Sequence, residues 1–324
     1  MLREYLISFP MFGETFIIDP PTSFTVFGFP LYYYGLIIAA GFFLAMLYGM
    51  KRCHEFGISQ DNIIDVLLIA VPLAIVGART YYVAFQWQDY AGDLLSIFNL
   101  RQGGIAIYGA VIGAVIGAVI ACRWRKISIG AMLDIGAFGL LIGQSVGRWA
   151  NFINREAFGA TTDVFWRMGL TNPNTIETIY VHPTFLYESV WNLLGFLLLH
   201  IFSKRGKRQF DGQFFAMYVA WYGFGRMFIE GLRTDSLFIP GTPIRISQLL
   251  AALSFVGAML FLIYMLRRPY APQKLWVNSA PALQTASGTP ADEADESAEN
   301  TEETTSSETD DDTPPEPEAD APEE

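Results

Sequence analysis

Thirteen residues from Gly147 to Gly159 (Gly-Arg-Trp-Ala-Asn-Phe-Ile-Asn-Arg-Glu-Ala-Phe-Gly) place Arg148, Asn151, Asn154, Arg155 and Glu156 directly behind an apolar run. A charge at the centre of a bilayer costs at least about 2.5–3.5 kcal/mol, so lipid-spanning chain sheds such groups unless they serve a site. Arg226, Glu230 and Arg233 repeat the pattern in another apolar stretch, and His182 and Glu188 bracket the start of a third. Guanidinium stays charged and grips phosphate oxygens through two parallel N–H bonds. Arginines with neutral amide donors and carboxylate partners therefore suit an anionic phosphate ligand. Taken singly, each residue has a plainer reading. Arg79 would snorkel to headgroups, Arg226 and Glu230 lie one turn apart and would pair, and His182 before Pro183 would start a helix. The functional reading rests on their convergence at one depth.

The elements that must bring them together are membrane helices. Apolar stretches of about 20 residues, the length that crosses a bilayer, lie near 33–50, 62–85, 104–122, 130–147, 184–202, 212–230 and 246–266. They predict an all-α integral membrane protein with seven transmembrane helices. Residues 1–30 carry Glu14 and Asp19 among Phe and Pro and lack the compact core and cleavage site of a signal peptide, so they read as an interfacial segment. Lys51 and Arg52, then Arg123, Arg125 and Lys126, then Lys204, Arg205, Lys207 and Arg208, and finally Arg267 and Arg268 follow alternate spans. All four clusters fall on one side, which the positive-inside rule makes cytoplasmic. The N-terminus is then outside and the C-terminus cytoplasmic.

That orientation puts Tyr34, Arg79, Tyr108, Arg148, Asn151, His182, Glu188, Arg226, Glu230 and Arg233 in or just above the outer leaflet. A transporter or proton pump needs polar groups through the whole thickness, and inverted repeats would show two matching halves. One-sided polarity points instead to work on outer-leaflet molecules. Glycine stripes at Gly109, Gly113 and Gly117 and at Gly139, Gly143 and Gly147 predict close helix packing, with the third and fourth spans in contact. Asp134, in the inner half of its span, reads as structural.

Composition separates this body from its end. No Lys or Arg follows Lys274, whereas sixteen of the 32 acids lie between Asp292 and Glu324, so the full-chain charge of −11 conceals a body near +5. A tail of Glu, Asp, Ser, Thr, Pro and Ala buries too little apolar surface to order itself. The expected division is a catalytic membrane domain over 1–270 and a disordered acidic cytoplasmic tail over 271–324. Cys53 and Cys122, each beside a basic cluster, do not form a disulfide framework.

The sequence resembles the bacterial prolipoprotein diacylglyceryl transferases. Gly147–Gly159 is similar to that family's signature at every fixed position, and ordered matches accompany it. They are Tyr34-Gly35, Gly77-x-Arg79 with Tyr82, Gly103-Gly104, His182-Pro183-x-x-x-Tyr187-Glu188, and Tyr222-Gly223-x-x-Arg226-x-x-x-Glu230-x-x-Arg233. The resemblance covers roughly residues 25–268. It implies transfer of the diacylglyceryl group of phosphatidylglycerol to the lipobox cysteine of a prelipoprotein. A thioether forms and glycerol 1-phosphate leaves, as the first step of lipoprotein maturation at the plasma membrane. Where many members carry a His in a His-Gly-Gly context, Tyr108 stands here.

That reaction is displacement at saturated carbon, with a nucleophile belonging to the substrate, so no enzyme Ser or Cys is required. As the C–O bond breaks, the phosphodiester monoanion becomes a monoester approaching a dianion, and a cationic pocket favours that transition state. The expected catalytic residues are Arg148, Arg226, Tyr108, Glu230 and Tyr34. Arg148, Asn151, Asn154, Glu156, Arg79, His182, Glu188, Tyr222 and Arg233 are expected to bind substrate, with no metal or cofactor. A free thiol has a pKa near 8.5; Glu156, Glu188, Glu230 and His182 are all candidates for its proton. A non-catalytic lipid-binding or transport protein, or a headgroup transferase with another acceptor, would use the same residue types.

Overall fold

The computed structural model describes residues 5–13, 15–99, 103–206, 208–279 and 282; Glu14, Lys207 and the acidic stretch from Asp292 lie outside the described residues. Strands β1 (Leu6–Ser8) and β2 (Ile17–Ile18) precede a hairpin of β3 (Ser23–Val26) and β4 (Phe29–Tyr32), which runs into α1 (Tyr33–Arg52). Next come α2 (Gln60–Phe85), a single turn α3 (Trp87–Tyr90), α4 (Ile107–Trp124) and α5 (Ile129–Asn154). After β5 (Met168–Thr171) and β6 (Thr178–Val181), the chain closes with α6 (Thr184–Lys204), α7 (Gln213–Leu232) and α8 (Ile246–Leu266). Among the described residues, six helices are long and apolar enough to cross a membrane. The long helix that falls short is α7, whose apolar residues are interrupted by Gln213, Arg226 and Glu230.

The all-α expectation is corrected. Strands in the order β2-β1-β5-β6 form an antiparallel sheet, with Ile7 opposite both Ile18 and Leu170 and with Leu170 opposite Ile179. Strands this short carry too little period-2 alternation to stand out from apolar flanks. Ile7, Met168, Leu170, Val181 and Phe185 form a small core under the sheet, backed by Phe152 and Phe158. This cap covers the end where α5 stops and α6 starts. Arg155 ends α5 in the left-handed conformation, φ 52°. Its buried guanidinium donates to the Tyr5 carbonyl (2.7 Å) and the Ile153 carbonyl (2.8 Å) and pairs with Asp19 (2.6 Å), so it staples the N-terminal strand to the helix end.

The two glycine stripes face different helices, and the close packing holds along the first, whereas in the second a side chain at Gly143 would meet open space. Side chains at Gly109, Gly113 and Gly117 would run into Gly77, Leu73 and Ala70, so the α4 stripe seats on α2. Gly139 and Gly147 of α5 face Ala45 and Ile38 of α1. Helices α4 and α5 do touch, as expected, through other positions.

At the basic helix ends, Lys204 pairs with Glu55 (2.8 Å) and Arg52 donates to Ser203 (2.7 Å), tying α1 to α6, and Arg125 after α4 pairs with Asp65 of α2. Fully buried Asp134 accepts from the Gly212 and Phe215 amides (2.9 and 3.0 Å) and so caps α7, a structural role. Both cysteines are free and buried. Beyond α8 the chain doubles back. The Trp276 indole donates to the Gly57 carbonyl (2.9 Å), and the Trp276 amide donates to Asp211 (3.0 Å). Gly57 has φ +72°, and a side chain there would strike Val277. Ala282, 3% exposed, also meets Gly57, so packed residues extend past residue 270, where composition set its boundary.

Candidate active site

At the capped end, Glu188 in the first turns of α6 is 3% exposed and meets three guanidinium groups. Arg148 of α5 reaches one carboxylate oxygen (2.7 Å); Arg226 of α7 (2.7 Å) and Arg233 just past α7 (3.2 Å) share the other. Glu230, equally buried, pairs with Arg226 (2.5 Å) and lies 3.9 Å from Arg233, while Ser236 donates to its carboxylate (2.8 Å). Arg233 also forks onto Asp235 (3.0 and 2.7 Å). Burial opposes the charge on both partners of that last pair, yet their attraction prevails. It raises the pKa of Arg233, with Glu188 and Glu230 adding to the effect, and lowers that of Asp235.

The network continues outward. Arg148 donates to the Asn151 side-chain oxygen (3.2 Å), and Asn151 and Asn154 donate to Glu156 (2.9 and 3.5 Å). Among the described residues Glu156 makes no ion pair, and it is exposed. Tyr34, in the first turn of α1, sits one turn outward of Ile38, which packs on Gly147, and it feels the charges of Glu156 and Arg148.

Two reciprocal contacts fix these helices. Ser145 and Ser189 each donate to the other's backbone carbonyl (2.9 and 2.8 Å), locking α5 to α6 one turn from Arg148 and beside Glu188. Trp191 and Trp221 stack at 4.2 Å with planes 12° apart, and each indole N–H donates to the other's carbonyl (3.0 and 2.9 Å). A side chain at Gly195 or Gly225 would collide with the facing indole, so each tryptophan needs the glycine opposite it. This second lock holds Glu188 against Arg226.

The structure therefore brings Arg148, Asn151, Asn154, Glu156, Glu188, Arg226, Glu230 and Arg233 into one connected cluster, with Tyr34 and Tyr222 at its margins. A narrow cleft lined by Glu188, Trp191, Asn192, Tyr222, Arg226 and Ile229 opens onto it. Three expected site residues stand apart. Arg79 spends its guanidinium on the carbonyls of Ser96, Ile97, Asn99, Gly103 and Gly104 and packs over Tyr90, so it organises that loop. Tyr108 lies near Tyr81, ring centroids 6.3 Å apart. His182 bonds Tyr187 (3.1 Å), whose hydroxyl also accepts from Trp166 (2.7 Å). Sequence reasoning missed Asp235, Ser236 and Arg245, which holds the Glu230 carbonyl. It also missed Asn192, whose only signal is a polar residue four positions after Glu188.

Fold and site together define a helical integral membrane protein with a buried arginine–carboxylate centre at one end. The sequence model of the prolipoprotein diacylglyceryl transferase family matches residues 21–264. A phosphatidylglycerol–prolipoprotein diacylglyceryl transferase of Enterococcus faecalis is 44% identical over 253 residues, 76% of this chain and 91% of the relative. Relatives of the same name from Finegoldia magna (42% over 243 residues, 75% and 94%) and Limosilactobacillus reuteri (45% over 249 residues, 75% and 90%) agree. The chain belongs to the prolipoprotein diacylglyceryl transferase family and is a transferase.

Proposed function

We propose that this chain transfers the diacylglyceryl group of phosphatidylglycerol to the lipobox cysteine of prelipoproteins, and that the Glu188 cluster is its phosphate site. The observation that carries this reading is one buried carboxylate holding three guanidinium groups, two of which, Arg148 and Arg226, keep 22% and 15% of their side-chain surface open. Seven helices span the plasma membrane, α7 included, because its polar face is turned onto Glu188 rather than lipid. The basic end is cytoplasmic, and the cluster lies in the outer-leaflet half.

The cysteine sulfur attacks the terminal glycerol carbon of the diacylglyceryl group, a C–S bond forms, and the C–O bond breaks with its electron pair on the departing phosphate. Arg148 and Arg226 stabilise the added charge, held in place by Glu188 and Glu230. Asn151, Asn154 and Arg233 order the pocket wall, and Tyr34 and Tyr222 offer hydroxyls at its margins, while Tyr108 stands apart beside Tyr81. Glu188 and Glu230 are engaged by guanidinium groups. Glu156 accepts only amide N–H bonds and takes the thiol proton. Arg79 and His182 act on substrate through the loops they hold. Mass spectrometry of a lipobox peptide incubated with the protein and phosphatidylglycerol tests the assignment: a diacylglyceryl thioether is expected, and an unmodified peptide overturns it.

A further inference from the structure

The cleft has two levels. Helices α6 and α7 run in opposite directions, so Asn192, four residues after Glu188, and Tyr222, four before Arg226, face the cleft one turn deeper, about 5.4 Å, than the charged pair. Asn192 is 2% exposed, and its side-chain carbonyl is without a hydrogen-bond partner among the described residues. A buried amide left unpaired is costly, and helix interiors normally satisfy or exclude it. With no bond to fix the amide, either end can turn toward the cleft.

We propose that Asn192 is a specificity-determining residue that donates its amide N–H to an ester carbonyl of the glycerolipid, so that the enzyme reads diacyl ester chemistry. The inference rests on phosphate binding at Arg148 and Arg226. With phosphate at that level, the glycerol ester groups, a few bonds further toward the acyl chains, fall at the level of Asn192. This neutral donor meets an acceptor that carries no charge, whereas the charged level above suits the headgroup.

The test compares phosphatidylglycerol with its dialkyl ether analogue, which keeps the headgroup and scissile carbon but lacks the ester carbonyls. The full chain in nanodiscs is assayed for lipid affinity and for kcat/KM with a lipobox peptide. Wild type is expected to favour the ester by roughly tenfold, the value of one buried hydrogen bond. Asn192→Leu and the smaller Asn192→Ala are expected to lose that preference by weakening the ester alone. A misfolded fraction would lower both lipids equally and leave their ratio intact. Equal use of both lipids by wild type, or an unchanged ratio in both variants, overturns the proposal. Arg226→Gln is expected to weaken both lipids alike, and its failure to do so would instead sink the phosphate site.

Discussion

Glu188, Glu230 and Asp235 balance Arg148, Arg226 and Arg233, charge for charge. Isolated buried charges would cost several kcal/mol each, and pairing with good geometry offsets this. The carboxylates thus hold the guanidinium forks in position. Arg148→Lys and Arg226→Lys keep the charge but lose the fork, and each is expected to reduce kcat/KM for thioether formation by tenfold or more, about 1.4 kcal/mol or above. Full activity in both would show that bidentate phosphate recognition is wrong. Tyr108 stands apart from the cluster and makes no hydrogen bond in the protein among the described residues, which leaves its hydroxyl open to a substrate that extends past the cluster. Tyr108→Phe is expected to slow turnover about tenfold while the thermal midpoint stays put; unchanged turnover removes it from the reaction. The sequence makes the types and common depth of these residues legible. The Arg226–Glu230 pair is legible in its one-turn spacing, whereas the gathering of three arginines on Glu188 is not, because Glu188 and Arg226 meet only through the approach of α6 to α7. Arg79 shows the same limit: nothing local in sequence distinguishes an arginine for phosphate from one that gathers five carbonyls.

Hydrophobic length and basic flanks mark the long helices well, since each signal extends over some twenty residues. The strands are illegible for the opposite reason: Ile17–Ile18 becomes a strand only because Ile7 pairs with it. The glycine stripes announced close packing, yet a bare face does not name its partner, and α4 found α2. The same principle is sharper between α6 and α7, where Trp191 and Trp221 exchange bonds over Gly225 and Gly195. Gly195→Ala and Gly225→Ala are each expected to lower stability by about 1–3 kcal/mol through overpacking, read as a reduced thermal midpoint in detergent. Activity should fall further than stability, because displaced indoles shift Glu188 relative to Arg226. A substitution tolerated in both measurements would mean that the tryptophan stack does not set the site.

Across the whole molecule, polarity divides the two ends: an arginine–carboxylate cluster beneath a small sheet at one, and basic residues with Asp134 and Asp211 at the other. The described body includes the turn after α8 that seats Trp276 on Gly57 and Asp211. Truncation after Tyr270 is therefore expected to lower the thermal midpoint, whereas truncation after Ala282 leaves it near wild type; equal midpoints would show the turn to be dispensable. Composition placed the boundary at 270 because the acidic bias beyond it says nothing about one apolar residue in reach of a glycine. That contact also has a temporal meaning. Gly57 lies in the first loop on its side of the membrane to be synthesised, and Trp276 comes after the last long helix. The contact joins residues 219 apart, so it can form only after every helix between them has been synthesised.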